Sequence, residues 1–561
     1  MYFVKAVAPV LLALVPVCIA SSLPVVDLGY ELHQAISLNE TQGLYNFSNI
    51  RYAAPPLADL RFRAPIPPKP NRTTIQTGAT GRICPQSNPI WESEILPEFL
   101  VSVVTGIPFN QSANISEYGY TPAKPDPRTT EDCLFLDVIV PKKVFDSARN
   151  RTAASVPGAK KRLAPVLVWI YGGGYVAGDK SLYDSTGLVQ RSMKGGKDGI
   201  VYVALNYRLG AFGWLAGSGV TANGTANAAL YDQRFALDWV YKYIHLFGGN
   251  PENVTVMGES AGGGSILHQI TAFGGNRGPV PFKQAILQSP GWYPLPSQAQ
   301  TESTLRQFLK LLNVTSVEEA RKLPTELLVA ANAYQVGVTP TYGTYTYGPA
   351  VDGTFVPDMP GKLLLNGSFD KNLNVMVGHN GNEGLIFTSP ASINGNAYTT
   401  LLTADLPTMP QNVTNYVANV LYPPVYNGSY GYTNPFERLS LTTSDVVFQC
   451  NTDYLNRAFK GQTHAYMFSI PPAIHAQDVP YTFFSGNHST VANATVALAM
   501  QDWFTSFVQT GTPRSTLSPV FERSGKNGTL LNVGLSNITV IRDPTANPRC
   551  RFWQNAPYYR S

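Results

Sequence analysis

The sequence predicts an α/β fold with a large, mostly parallel central sheet and helices on both faces. Two observations predict it. Short apolar runs rich in β-branched residues alternate with segments whose apolar residues fall at helical spacing. The 561 residues contain 44 Pro and 48 Gly spread along the chain, with no linker-like block that would divide it. One large domain with insertions is the simplest organisation for such a chain.

The elements follow in order. Val166–Ile170 (VLVWI) reads as a strand buried on both faces, and Ile200–Leu205 (IVYVAL) as a second. Ala236–Phe247 carries Leu237, Val240, Ile244 and Phe247 on one helical face. Val254–Met257 is a short strand, and a helix pattern runs from Ile266 onward. Ala285–Leu287, Val375–Val377 and Ala465–Phe468 are further strands.

Composition excludes several function classes. With 44% hydrophobic and 11% aromatic residues the chain is not disordered. No repeat of about 20–50 residues marks a solenoid or propeller. A net charge of +5 without a basic stripe gives no support for nucleic-acid binding, and Lys160-Lys161-Arg162 reads as a solvated loop before a strand.

Residues 1–20 place Lys5 ahead of an apolar run of about 13 residues that ends in the small residues Cys18 and Ala20. That pattern predicts a signal peptide cleaved after Ala20, with residues 21–561 as a single mature domain. The run is shorter than the ~18 residues a membrane span needs, and no later segment is long and apolar enough. No hydrophobic tail for a lipid anchor and no retention signal closes the chain. Asn-x-Ser/Thr occurs at Asn39, Asn46, Asn71, Asn110, Asn114, Asn150, Asn223, Asn253, Asn313, Asn366, Asn412, Asn427, Asn487, Asn493, Asn527 and Asn537. This is about three times the number composition predicts, as expected of a secreted, glycan-coated surface.

Once Cys18 leaves with the signal peptide, Cys84, Cys133, Cys450 and Cys550 remain. An even count in an oxidising compartment predicts two disulfides. Three connectivities are open, and local pairing is the simplest. The absence of CxxC or a Cys/His cluster argues against a metal site.

Gly258-Glu259-Ser260-Ala261-Gly262 fits G-x-S-x-G, with a strand before it and a helix pattern after it. In that context the Ser sits on a strained turn with Oγ exposed at the carboxyl end of the sheet. The N–H of Ala261, at the helix N-terminus, can point at a developing oxyanion. A Ser nucleophile needs a base, and in this arrangement the acid and then the His follow it in the chain. His33 and His245 precede Ser260, His268 lies just after it, His379 is near the candidate acid, and His488 lies inside a sequon. His475, in the loop PPAIHAQD after a strand, is the favoured base, with His464 the runner-up. For the acid, strand Val375–Val377 leads into GHNGNEG and presents Glu383, with Asp352 and Asp370 as competitors. Strand Val166–Ile170 leads into Tyr171-Gly172-Gly173-Gly174, a Gly-rich position for oxyanion-binding N–H groups with Tyr171 where such loops often carry His. A P-loop would need a Gly-Lys-Ser/Thr ending, which is missing.

Together these residues resemble the type-B carboxylesterase/lipase family, which includes cholinesterases and secreted fungal lipases. The resemblance runs through IRYAAPPLADLRF (50–62), EDCLFLDV (131–138), VLVWIYGGGY (166–175), NYRLGAFGWLA (206–216), VMGESAGG (256–263), GPAVDGTFVPD (348–358), GHNGNEG (378–384), AIHAQDVPY (473–481) and CRFW (550–553). It implies an α/β-hydrolase fold with a Ser260, Glu383, His475 triad and oxyanion donors Gly173, Gly174 and Ala261. It further implies Cys84–Cys133 and Cys450–Cys550 disulfides. It implies a hydrolase of carboxylic esters, lipase or carboxylesterase, that works without metal or cofactor on an ester or lipid substrate. The retained triad argues against the alternative, a non-catalytic cholinesterase-like adhesion protein.

The chain departs from the family in two places. No Cys between 133 and 450 closes a short loop after the nucleophile helix, and Trp91 is the only Trp in the 84–133 loop, near its first Cys. A choline-binding Trp would lie ahead of the second, so choline specificity is not expected. In fungal lipases of the family the 84–133 loop corresponds to a lid. Its apolar stretch Ile95–Phe109 could contact a lipid surface or could pack permanently on the body.

Overall fold

A computed structural model describes residues 23–109, 124–149, 163–291, 296–394, 397–486 and 490–559. The proposed signal peptide, the 160–162 basic stretch, His488 and the sequons at Asn110, Asn114, Asn150 and Asn487 lie outside the described residues.

Fourteen strands form two sheets among these residues. They are β1 (Val25–Asp27), β2 (Glu31–Gln34), β3 (Ser37–Asn39), β4 (Leu44–Arg51), β5 (Asn71–Gln76), β6 (Phe135–Pro141), β7 (Ala164–Ile170), β8 (Val201–Leu205), β9 (Gly249–Glu259), β10 (Gln284–Gln288), β11 (Asn374–Asn380), β12 (His464–Phe468), β13 (Thr529–Val533) and β14 (Ile538–Arg542). The helices that matter for the site are α1 (Leu96–Thr105), α2 (Ala228–Tyr243), α3 (Ala261–Ile270), α4 (Gln298–Leu311) and α5 (Ala494–Thr510). Strands β1, β2 and β5 make the small sheet. The large sheet has the order β14-β13-β12-β11-β10-β9-β7-β8-β6-β4-β3.

From β8 to β13 every neighbouring pair in the large sheet is parallel. The antiparallel pairs β6/β8, β4/β6, β3/β4 and β13/β14 lie at its edges. Strand β7 separates β8 from β9, so the chain turns one way after β7 and the other way after β8. Ligands in open α/β sheets bind outside the carboxyl ends of the strands at such a switch point. The central strands are apolar throughout because both faces are covered: all five residues of β8 are buried, as are Val166–Ile170 of β7. Among the described residues no helix is long and apolar enough to cross a membrane.

Each strand expected from sequence is present, and β9 is longer than expected. Two helices begin earlier than expected. Helix α2 starts at Ala228, because its first turns bury polar side chains that break the apolar period. Asp232 accepts from Arg208 at 2.6 Å, and the Gln233 amide donates to Ser265 Oγ at 3.0 Å. Helix α3 starts at Ala261 rather than Ile266. Its first turn is Gly262-Gly263-Gly264, which lowers helix propensity. A Cβ on Gly262 would lie 2.0 Å from Ile170 O, and one on Gly264 2.1 Å from Gly291 O. Glycine here serves close packing of the helix on the sheet.

Disulfides join Cys84 to Cys133 and Cys450 to Cys550, each with Cα atoms 5.0 Å apart. In the chain-entropy account, loops of this length stabilise the fold by about 4–5 kcal/mol each.

Candidate active site

Three strand ends assemble the site. Ser260 stands between β9 and α3 at φ 56°, a strained conformation for a residue with a side chain. The turn is held from both sides: Ser260 N–H donates to Gln288 O at 3.1 Å, and Gly264 and Gly291 N–H donate to Ser260 O at 2.8 and 3.1 Å. Glu383 begins a short turn three residues after β11. His475 lies in the loop after β12, which is tied to the β11 loop by Asn382 N–H donating to Ala473 O at 2.8 Å.

His475 Nδ1 lies 2.5 Å from Glu383 Oε2. The other Glu383 oxygen accepts from Ser289 Oγ at 2.6 Å and Asn380 N–H at 2.5 Å. Burial opposes the Glu383 charge, but the facing His475 and these hydrogen bonds hold its pKa below the ordinary carboxylate value. Asp352 and Asp370, the competing acids, are elsewhere: Asp352 accepts from Asn227, Thr354 and Val356, and Asp370 from Val280 and Asn372. His464 points its Nδ1 at Glu522 O, between the rings of Phe507 and Phe521.

A second carboxylate attends the imidazole. Glu259 Oε1 is 3.3 Å from His475 Nε2, and both atoms are buried without a hydrogen-bond partner. Burial lifts Glu259 to about 8, the His475 charge opposes that lift, and Asp478 and Glu383 add to it. For His475, burial disfavours the imidazolium, but Glu259 and Glu383 together outweigh burial and raise its pKa. Behind it Asp478 accepts from Tyr466 OH at 2.7 Å, Gln288 Nε2 at 2.9 Å and Asn380 Nδ2 at 3.2 Å. The phenyl rings of Phe448 and Phe387 flank the imidazole at 4.3 and 5.1 Å.

The Gly-rich loop after β7 crosses in front of the Ser260 turn. Gly173 has φ 99°, and a Cβ there would lie 2.2 Å from Ala177 O, so the position admits only glycine. Among the described residues no protein acceptor takes the N–H of Gly173, Gly174 or Ala261. Tyr171 is buried and stacks on Tyr207 at 4.5 Å, and Tyr207 OH donates to Tyr171 O at 2.7 Å. The Tyr at this position thus anchors the loop from below.

Ser260, Ala261, Gly174, Phe387 and Phe448 share a cavity of about 540 Å3. The root of the 84–133 loop closes one flank. Trp91 is fully buried, donates its indole N–H to Thr344 O at 2.9 Å and packs on Tyr342 and Tyr345 at 5.2 and 5.5 Å. Beside it Glu92 accepts from Tyr345 OH at 3.4 Å, and burial lifts its pKa to about 7. At its root, then, the loop is packed on the body.

The model of the Carboxylesterase family matches residues 34–553. The chain belongs to that family. This carboxylesterase-family chain is 40% identical over 553 residues to the carboxylesterase patB of Penicillium expansum, covering 96% of this chain and 97% of that one. It is 34% identical over 367 residues to lipase 1 of Geotrichum candidum, covering 62% and 61%. The crystal structure of EstA from Aspergillus niger superposes with a TM-score of 0.77 at 27% identity, covering 96% and 99%. The protein is a carboxylic ester hydrolase with the α/β-hydrolase fold.

Sequence reasoning missed several carboxylesterase-site groups. Glu259 was visible as the variable position inside G-x-S-x-G. Ser289 follows β10, the strand next to β9, so its place at a neighbouring carboxyl strand end was a usable signal. Glu92 and Asp478 carry no local pattern, and only the folded chain brings them to the site.

Proposed function

We propose that residues 21–561 form one secreted serine carboxylesterase domain that works by two-step acyl transfer through Ser260. The observation that carries this reading is the 2.5 Å contact of His475 with Glu383 beside the strained Ser260 turn. His475 takes the Ser260 proton as Oγ bonds to the ester carbonyl carbon. The oxyanion is met by the N–H groups of Gly173, Gly174 and Ala261. The C–O bond then breaks, and the alcohol leaves with the proton from His475. Water, deprotonated by His475, attacks the acyl-enzyme, and the acid departs as Ser260 recovers its proton. Glu383 holds the imidazole orientation and stabilises the imidazolium. A p-nitrophenyl alkylphosphonate tests this: peptide mapping is expected to find one adduct, on Ser260, with stoichiometric loss of esterase activity. Labelling elsewhere with the same loss would overturn it.

Secretion rests on the leader pattern and the sequons. None of the twelve sequon asparagines among the described residues is buried. Protein recovered from culture medium is expected to begin at Ser21 and to lose mass with an endoglycosidase that cleaves Asn-linked glycans.

Contact with a lipid surface through the 84–133 loop is favoured by α1. Leu96 and Phe99 face inward, whereas Val101, Val104 and Ile107 are 55, 70 and 60% exposed. Such an apolar row suits a lipid interface. Val104→Asp together with Ile107→Asp is expected to weaken adsorption to triglyceride emulsions and to leave hydrolysis of soluble p-nitrophenyl acetate unchanged.

A further inference from the structure

The cavity above Ser260 has polar side walls. Helix α4 turns Gln300, Ser303, Thr304 and Gln307 into it. These positions are spaced i, i+3, i+4, i+7 and form one helical face, while Leu305 and Phe308 are buried on the other side of the helix. The Gln300 amide oxygen is used at the helix start, where it accepts from Ser297 N–H at 3.0 Å. The side chains of Ser303, Thr304 and Gln307 make no hydrogen bond within the protein among the described residues. Across the cavity, Thr341 and Thr344 pair through their hydroxyls at 3.2 Å, and the Thr344 carbonyl is pinned by Trp91. Phe387 and Phe448 line the cavity beside His475, and Tyr345 and Tyr347 line it near the Thr341–Thr344 wall. Unused donors and acceptors thus line the space that the outer part of an ester would enter.

We propose that this cavity takes esters bearing hydroxyl or carbonyl oxygens beyond the scissile group, and that Ser303, Thr304 and Gln307 bind those oxygens. The proposal rests on the reading of Ser260 as nucleophile, because it places the scissile ester at the cavity floor. A site built to hydrogen-bond a substrate hydroxyl rejects the analogue that lacks it, because its polar groups are then left without partners. An alkyl chain of equal size leaves the Ser303, Thr304 and Gln307 side chains without partners in place of the water it displaces.

The test compares kcat/KM within two size-matched pairs: glycerol monoacetate with 2-methylbutyl acetate, and methyl 3-hydroxybutyrate with methyl 3-methylbutyrate. The wild-type enzyme is expected to favour the hydroxylated member of at least one pair by about tenfold or more. Ser303→Ala/Thr304→Val/Gln307→Leu is expected to erase most of that preference and to retain activity on p-nitrophenyl acetate within about threefold. Gln307→Leu alone, at an exposed position, is expected to move the ratio in the same direction if the triple variant does not fold. An alkyl preference in both pairs, or a ratio that neither variant changes, overturns the proposal. The nucleophile reading fails separately, if Ser260→Ala hydrolyses p-nitrophenyl acetate as fast as the wild type.

Discussion

Glu259 and Glu383 approach His475 from opposite ring nitrogens, at 3.3 Å from Nε2 and 2.5 Å from Nδ1. Two buried carboxylates thus bracket one imidazole. A base must be neutral to take a proton, and these charges raise the His475 pKa above its ordinary value of 6.5. Activity is therefore expected to fall as pH drops through a midpoint above 6.5. Glu259→Gln removes one source of that rise, so the acid limb of the kcat/KM profile is expected to move to lower pH. A limb that stays in place would mean that Glu259 does not act on His475.

Ser289 Oγ donates to the Glu383 oxygen that does not face His475. Hydrogen bonds to charged groups contribute about 1.5–3 kcal/mol. Ser289→Ala is expected to lower kcat by about tenfold or more with little change in KM. Steady-state kinetics on one soluble ester checks this.

Gly262 faces the Ile170 carbonyl at a distance no Cβ tolerates. Gly262→Ala forces α3 away from β7 and shifts the Ser260 turn with it. Overpacking of this kind costs about 1–3 kcal/mol, so Tm is expected to drop by about 1–3 °C in a chain of this length, with a loss of activity at temperatures where the fold persists. Calorimetry and kinetics on the same sample check both parts.

Removing the Cys84–Cys133 bond frees a 49-residue loop whose root still packs through Trp91. Cys84→Ser/Cys133→Ser is expected to lower stability by about 4 kcal/mol. Trp91 fluorescence should stay that of a buried indole in the folded variant, which a Trp91→Phe control isolates from the other tryptophans.

The parallel sheet was legible because its strands are buried on both faces and read as unbroken apolar runs, as in Val166–Ile170. The Ser260, Glu383 and His475 positions were legible because each follows such a run. Helix starts were less so: the buried Arg208–Asp232 pair interrupts the apolar period of α2, and the glycines of α3 mask its first turn. The small sheet of β1, β2 and β5 was not read, since exposed β5 has no apolar period. The polar face of α4 resembles any solvated helix until its neighbours across the cavity are known.

The Cys450–Cys550 bond encloses His475 in a covalent ring. His475 is thereby joined to the part of the chain that carries Ser260 by two routes. A protease that cuts once anywhere between the two cysteines leaves a single molecule, with His475 still attached to the body from one side or the other. Such nicked enzyme would run as one band on a denaturing gel until a reductant separates its pieces.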